Sequence, residues 1–293
     1  MFSVSKAKKK NSNYPIARFI GGENHGKYLY YNKIKSSSID DIDSKLKEDL
    51  DPGDLSILDI ALKNNVEPDS EILEKRFYMM KDYLKNKSGK YLLKSGKLEV
   101  LPNFNIIEKL YICGVSGSGK STFSANWAKR YLQKYRKNEL YILSNVDADP
   151  VLDKLNPCRI NLTSVIEDPL SPDELDSSLI IFDDIGTIEN PQIRKASVGF
   201  LNNILECGRH YNCTCISTSH VIMDYSNSKK SLVESTSVVI FLKGSQVQNK
   251  RYMENYCGFS KEQITKILNL NSRWVCISRV LPLIIHERGV FLI

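Results

Sequence analysis

Residues Gly114-Val115-Ser116-Gly117-Ser118-Gly119-Lys120-Ser121-Thr122 have the types and spacing of a phosphate cradle. They fit G-x-x-x-x-G-K-[ST] in full, with Gly114, Gly119, Lys120 and Ser121 at the defining positions. Glycines admit positive φ and keep side chains out of the way of an approaching anion. Backbone N–H groups of such a loop, and of the helix behind it, point at phosphate oxygens, and the helix dipole favours their charge. In that geometry Lys120 reaches the β- and γ-phosphates of a nucleotide, and the Ser121 hydroxyl holds Mg2+.

A second pair of residues supplies the carboxylates that this chemistry needs. The apolar run Leu179-Ile-Ile-Phe182 ends in Asp183-Asp184, about 65 residues beyond the loop, a separation that leaves room for intervening β–α units. Asp183 would accept from the Mg2+ shell, and Asp184 would polarise an attacking water. A later run ends Ser217-Thr218-Ser219-His220. Ser219 and His220 are the candidates to sense a γ-phosphate; a polar strand end meeting a loop is the plainer reading. Arg209, in Gly208-Arg209-His210, is a candidate arginine finger, which acting in trans requires an oligomer. A surface arginine or an intrachain ion pair explains it equally well from chemistry alone.

These residues must be positioned by strands and helices. Leu110-Tyr-Ile-Cys113 reads as a buried strand entering the glycines. Behind them, Thr122 to Leu132 reads as a helix with Phe123, Trp127, Tyr131 and Leu132 near one face. A glycine- and serine-rich linker would lack that bracketing. From residue 106 onward, strands at 110–115, 140–143, 179–182, 213–217 and 238–242 alternate with helical stretches at 120–135, 192–207 and 260–268. The pattern predicts an α/β fold, with a mostly parallel five-strand core sheet flanked by helices. Trp274–Ser278, Leu283–His286 and Val290–Ile293 predict a terminal strand and hairpin.

Residues 1–13 read as a basic disordered tail carrying Lys6, Lys8, Lys9 and Lys10. Residues 14–105 read as a small α+β accessory region: two short strands around Gly21–Gly26, a linker or weak helix at 36–54, a helix at Ser56–Leu62 with Asp54 as its cap, and a longer helix from Asp69 to Lys87. His25-Gly26-Lys27 belongs to the hairpin rather than to a phosphate site. Residues 106–293 form the nucleotide-binding domain.

Composition bounds the rest. With 293 residues, 42% hydrophobic and 26% charged, the chain is an ordinary globular one, and no apolar run is long enough to span a membrane. The N-terminus lacks the apolar core of a signal peptide. Seven cysteines, no C-x-x-C pair and four histidines without zinc spacing predict a reducing interior and no structural metal. Cys113, Cys213, Cys215 and Cys276 lie in apolar runs and read as small buried hydrophobes. A net charge of +7 suits a nucleic-acid partner or an anionic surface, and equally well plain solubility plus a nucleotide site. No N-K-x-D run is present, which leans towards ATP over GTP.

In order and type, Gly114–Thr122, Asp183-Asp184, Gly208-Arg209-His210 and the downstream strand resemble the P-loop ATPases of large nucleocytoplasmic double-stranded DNA viruses. The resemblance is greatest to their genome-packaging ATPases, of the FtsK/HerA superfamily. The run Gly208-Arg-His-Tyr-Asn-Cys-Thr-Cys-Ile-Ser-Thr-Ser-His220 is its most specific part, and Ser272-Arg-Trp-Val275 with the closing hairpin adds to it. It covers roughly residues 106–293 and leaves 1–105 unexplained. It implies a P-loop NTPase core with the sensor strand between the loop and acid strands. It implies Mg-dependent ATP hydrolysis in a homo-oligomeric ring acting on double-stranded DNA, with capsid proteins as partners, in the virion or at an assembly site in the host cytoplasm. Two departures stand out: packaging enzymes commonly carry Gln where this chain has His220, and ATPases of this kind usually carry Glu where it has Asp184.

Three functions fit these residues: an ATP-driven DNA-packaging motor, a nucleotide-dependent switch or scaffold in virus assembly with little turnover, and a small-molecule or nucleoside kinase. The kinase reading lacks a clear arginine-rich lid.

Overall fold

The computed structural model describes residues 2–6, 15–31 and 39–293. The chain opens with β1 (Phe2–Ser5), β2 (Pro15–Ile20) and β3 (Tyr28–Tyr31), helices α1 (Pro52–Asn64) and α2 (Glu71–Ser88), then β4 (Lys90–Leu92) and β5 (Lys97–Val100). It continues with β6 (Lys109–Cys113), α3 (Lys120–Lys134), β7 (Leu140–Ser144), β8 (Cys158–Arg159), α4 (Ser164–Glu167), β9 (Leu179–Asp183), α5 (Pro191–Cys207) and β10 (Thr214–Ser219). It ends with α6 (Lys229–Glu234), β11 (Ser237–Phe241), α7 (Gln246–Asn255), α8 (Lys261–Leu268), β12 (Trp274–Ser278), β13 (Leu283–His286) and β14 (Gly289–Leu292).

One sheet runs β4-β14-β13-β12-β11-β6-β10-β9-β7-β8. The five expected core strands are neighbours in it, in the order β11-β6-β10-β9-β7, and every pairing among them is parallel. Their apolar runs are buried on both faces, as a parallel sheet covered by helices requires. The sheet is nevertheless larger than a five-strand core with a separate hairpin. The two-residue β8 adds a sixth parallel strand, too short to leave an apolar run in the sequence. On the other side β12, β13, β14 and β4 continue the sheet antiparallel. The short connections between β12, β13 and β14 permit only that direction, because a parallel return needs a long crossover.

The N-terminal segments build a second sheet, β1-β3-β2-β5. It shares a core with the large one: Phe19, Leu29, Leu98 and Val100 pack in one cluster with Ile112, Trp127, Ile216 and Val239. Strand β4 crosses into the large sheet outright, pairing Tyr91 with Val290. The large sheet therefore takes a strand from before the expected boundary at 105/106, and the N-terminal sheet packs on residues beyond it. Helices α1 and α2 enclose a small cluster of their own around Leu58, Phe77 and Met80.

Several local expectations need correction. Part of the N-terminal tail is ordered: Phe2 and Val4 alternate along β1, and Phe2 packs on Tyr31 and Tyr91. Lys8, Lys9 and Lys10 lie outside the described residues. Helix α1 starts earlier than Ser56, capped by Asp51, whose carboxylate accepts from the N–H of Asp54 at 2.8 Å. Helices α6 and α7 were not expected; α7 is polar and shows little periodicity. Cys113, Cys213, Cys215 and Cys276 are buried, and burial pushes the Cys215 thiol up to about 12. No helix among the described residues is long and apolar enough to cross a membrane.

Candidate nucleotide-binding site

The phosphate loop joins the end of β6 to the start of α3. Gly117 and Gly119 adopt φ of 71° and 107°, which only glycine holds without strain. Gly114 is required for a different reason. A Cβ there would stand 2.6 Å from Ser118 Oγ and 2.7 Å from Phe241 Cβ. Its N–H donates to the carbonyl of Ser219 at 3.0 Å, which ties the loop to the neighbouring strand β10. Residues Ser116 to Thr122 line a cavity of about 500 Å3 at the carboxyl edge of the parallel strands. Gly114 and Val115 form the turn leading into it.

Lys120 is the first residue of α3 and only 7% exposed. Its Nζ donates to the Gly114 carbonyl at 2.9 Å and lies 3.3 Å from Asp184 Oδ2. His220 Nε2 is 3.1 Å from that same oxygen, and His220 Nδ1 lies 3.5 Å from Lys120 Nζ. An ammonium can only donate, so in this arrangement Nδ1 accepts and Nε2 carries the hydrogen given to Asp184.

Strand β9 delivers Asp183 and Asp184 beside the loop. Asp183 is buried; burial, and then the adjacent Asp184 charge, holds its carboxyl above the usual range. Asp184 turns out of the strand with φ 47° and ψ 35°, a left-handed conformation that Asp and Asn tolerate better than other side chains. That turn brings its carboxylate back over the loop. Thr218, near the end of β10, holds both acids: its Oγ1 is 3.0 Å from Asp183 Oδ1 and 3.1 Å from Asp184 Oδ1, and it accepts from the Asp184 N–H at 2.9 Å. A hydroxyl has one hydrogen, so it donates to one carboxylate at a time.

The resemblance's expectation of a sensor strand between the loop and acid strands holds, because β10 pairs with β6 on one side and β9 on the other. The residues expected to sense phosphate divide. His220 joins the cluster. Ser219 does not: its hydroxyl closes a turn with Val221, donating to the Val221 carbonyl at 2.9 Å. Side chains alternate along a strand, so Ser219 and Thr218 face opposite sides. Arg209 lies away from the site. It is exposed on the turn before β10, at the amino edge of the sheet, roughly 20 Å of strand from the phosphate loop. Among the described residues it makes no ion pair.

Sequence reasoning missed Thr218, although it stands directly before the two residues singled out, Ser219 and His220. It also missed Ser144 and Asp149, which line the same cavity after β7; Ser144 Oγ approaches Asp183 Oδ2 at 3.4 Å. Polar residues at the ends of several parallel strands were the available signal, since such ends meet at a common edge. Ser121 and Asp183 both face this cavity and are oxygen ligands of the kind Mg2+ takes. Ser118 Oγ is buried without a hydrogen-bond partner among the described residues, a further polar atom at the loop.

No protein-family model matches the chain. An uncharacterized protein, V3, of Sputnik virophage is 32% identical over 237 residues, spanning 78% of this chain and 97% of that protein. Among solved structures, the genome packaging NTPase B204 of Sulfolobus turreted icosahedral virus 2, in complex with ATP-gammaS, is similar over 62% of this chain and 97% of its own, at 15% identity and a TM-score of 0.43. The pCW3 conjugation coupling protein TcpA is similar over 94% of this chain and 77% of its own, at 9% identity and a TM-score of 0.44. By its identity to the virophage protein over nearly the whole of that relative, and with its phosphate loop and acid-tipped strand, the chain belongs to the family of viral P-loop proteins that includes Sputnik virophage V3.

Proposed function

We propose that this chain is a Mg-dependent ATPase that drives DNA translocation during viral genome packaging. The observation that carries the reading is the meeting of Lys120, Asp183, Asp184 and His220 on the loop Ser116–Thr122, at one edge of a parallel sheet. Loop amides and Lys120 bind the phosphates of ATP; Ser121 and Asp183 hold Mg2+, which when bound neutralises charge on the phosphate oxygens. Asp184 orients the attacking water. His220, hydrogen-bonded to Asp184, couples the γ-phosphate to that carboxylate. Arg209, too far from its own site, serves the site of a neighbouring subunit in a ring. Double-stranded DNA and capsid proteins are the partners, in the virion or at the assembly site.

A nucleotide-dependent switch with little turnover is the second reading, favoured by the way Thr218, Lys120 and His220 all engage Asp184. The test is steady-state ATP hydrolysis with and without linear double-stranded DNA, at low and moderate salt. A motor is stimulated by DNA, and the stimulation fades with salt because phosphate contacts release counterions. Turnover indifferent to DNA removes the motor and points to a kinase; negligible turnover under all conditions points to the switch.

A further inference from the structure

A second cavity, of about 410 Å3, opens on the other side of the phosphate loop. Gly119 and Thr122 line both cavities, so the two meet at the amino end of α3. Thr122, Asn126 and Arg130 follow one another at four-residue steps along α3 and form a stripe leading away from the phosphate end. Phe123, Phe241 and Trp274 supply aromatic surface: Phe123 meets Trp274 edge-on, with ring centroids 5.1 Å apart. The far wall comes from the N-terminal sheet, where β5 presents Lys97 and Glu99.

That wall is built rather than incidental. Glu99 accepts from Arg130 Nε at 3.1 Å and Nη2 at 2.9 Å, and Arg18 approaches at 3.8 Å. All three contacts fall on Oε2, and among the described residues no side-chain contact falls on Oε1. The Leu98 N–H donates to the Glu287 carbonyl at 2.9 Å, and Arg288 Nη1 donates to the Gly96 carbonyl at 2.9 Å, clamping β5 to the β13–β14 turn.

We propose that this cavity receives the nucleoside end, base and ribose, of the nucleotide whose phosphates the loop holds, and that β5 of the N-terminal sheet is a wall of the binding site. The inference rests on the phosphate-loop reading above. Its volume lies in the range of small-molecule sites, and its mixture of aromatic surface with a few placed polar groups suits a flat base. The Asn126 amide offers a donor and an acceptor to a base edge, and the Glu99 carboxylate offers an acceptor to a ribose hydroxyl. The N-terminal segment, which the packaging resemblance leaves unexplained, thereby becomes part of the nucleotide site.

The test compares Mg-ATP with Mg-tripolyphosphate, which carries the phosphates without a nucleoside, by calorimetric titration of the full chain. Asn126→Trp fills the cavity from an exposed helix position. ATP affinity should fall at least about tenfold through the introduced clash, with tripolyphosphate affinity unchanged. Glu99→Gln, on the N-terminal strand, should weaken ATP several-fold and leave tripolyphosphate alone, which separates the effect from misfolding of a bulky variant. Wild-type ATP affinity in both variants overturns the inference. A parent chain that binds neither ligand overturns the phosphate-loop reading itself. A parent that binds both equally well retains that reading and overturns only the nucleoside cavity.

Discussion

Lys120 and Asp184 are paired across the phosphate loop, with Nζ 3.3 Å from Oδ2 and both side chains largely withdrawn from water. Under the proposed function, a triphosphate arriving at the loop would compete with that carboxylate for the lysine. The carboxylate would then be free to face the γ-phosphate, with His220 still at hand, so that the proposal links nucleotide binding to the placement of Asp184 through one ion pair.

Asp184→Asn tests the link. Asn tolerates the left-handed backbone at this position, so the fold should persist. Removing the charge frees Lys120, so ATP binding should be retained or tightened, while turnover falls by roughly 10²–10⁴ as expected for a lost general base. Equal turnover in variant and parent would remove Asp184 from the mechanism. The left-handed backbone also favours Asp over Glu at this position. At φ 47° a longer side chain gains reach at a conformational cost, so Asp184→Glu should lose about 1 kcal/mol in a denaturant titration.

Thr218 holds both acids in register. Thr218→Val keeps the shape but leaves the Asp184 N–H without its acceptor and removes the one hydroxyl hydrogen that Asp183 and Asp184 share. Stability should drop by about 1–3 kcal/mol, the cost of buried polar groups left unpaired. ATP turnover should fall with it, and Thr218→Ser should restore most of both. A valine variant as stable and active as the parent would make the hydroxyl a bystander.

What the sequence disclosed and what it concealed divide along one physical line. The loop Gly114–Thr122 and the pair Asp183-Asp184 are contiguous stretches whose chemistry is local, and each announces itself beside an apolar strand. Thr218, in contrast, matters because β10 pairs between β6 and β9, and register is a property of three distant segments. Arg209 was read by its neighbours in the sequence, yet the direction of β10 carries it to the opposite edge of the sheet. For the same reason, nothing in Lys97–Val100 reveals that Glu99 pairs with Arg130 of α3. The four antiparallel strands were partly legible as a hairpin, but their merger with the main sheet depends on pairing between Val275 and Ile240 and between Val290 and Tyr91.

Glu108 gives the fold a pH dependence separate from the site. It is fully enclosed between the Asn103 N–H at 2.7 Å and the Ser237 hydroxyl at 3.2 Å, and burial pushes its carboxyl up to about 7 from an ordinary 4.5. The folded chain therefore holds a proton that the unfolded chain has released between these values. Its contribution to stability is complete below pH 4.5, declines as pH rises, and is lost above 7, by roughly 3 kcal/mol at most. Glu108→Gln should flatten this slope in thermal melts from pH 5 to 8 and leave the variant more stable than the parent at pH 8. Parallel melting curves for the two would place the slope elsewhere.

Arg209 decides whether the site is complete within one chain. Exposed at the amino edge of the sheet, it cannot reach its own phosphate loop without dismantling β10. A role in catalysis therefore requires a second subunit that presents this edge to the first subunit's loop. Arg209→Ala should lower hydrolysis by up to about 10³–10⁵, the range of arginine fingers, while ATP affinity holds. Lys120→Ala should abolish nucleotide binding in its own subunit. Mixed with the Arg209 variant, it should restore part of the activity, because one subunit keeps an intact loop and the other an intact arginine. If mixed oligomers form, shown by differently tagged chains co-purifying, and the mixture stays inactive, the arginine does not act between subunits. If Arg209→Ala hydrolyses ATP at the parent rate, it is a surface residue and the catalytic groups are those gathered around Lys120 and Asp184 alone.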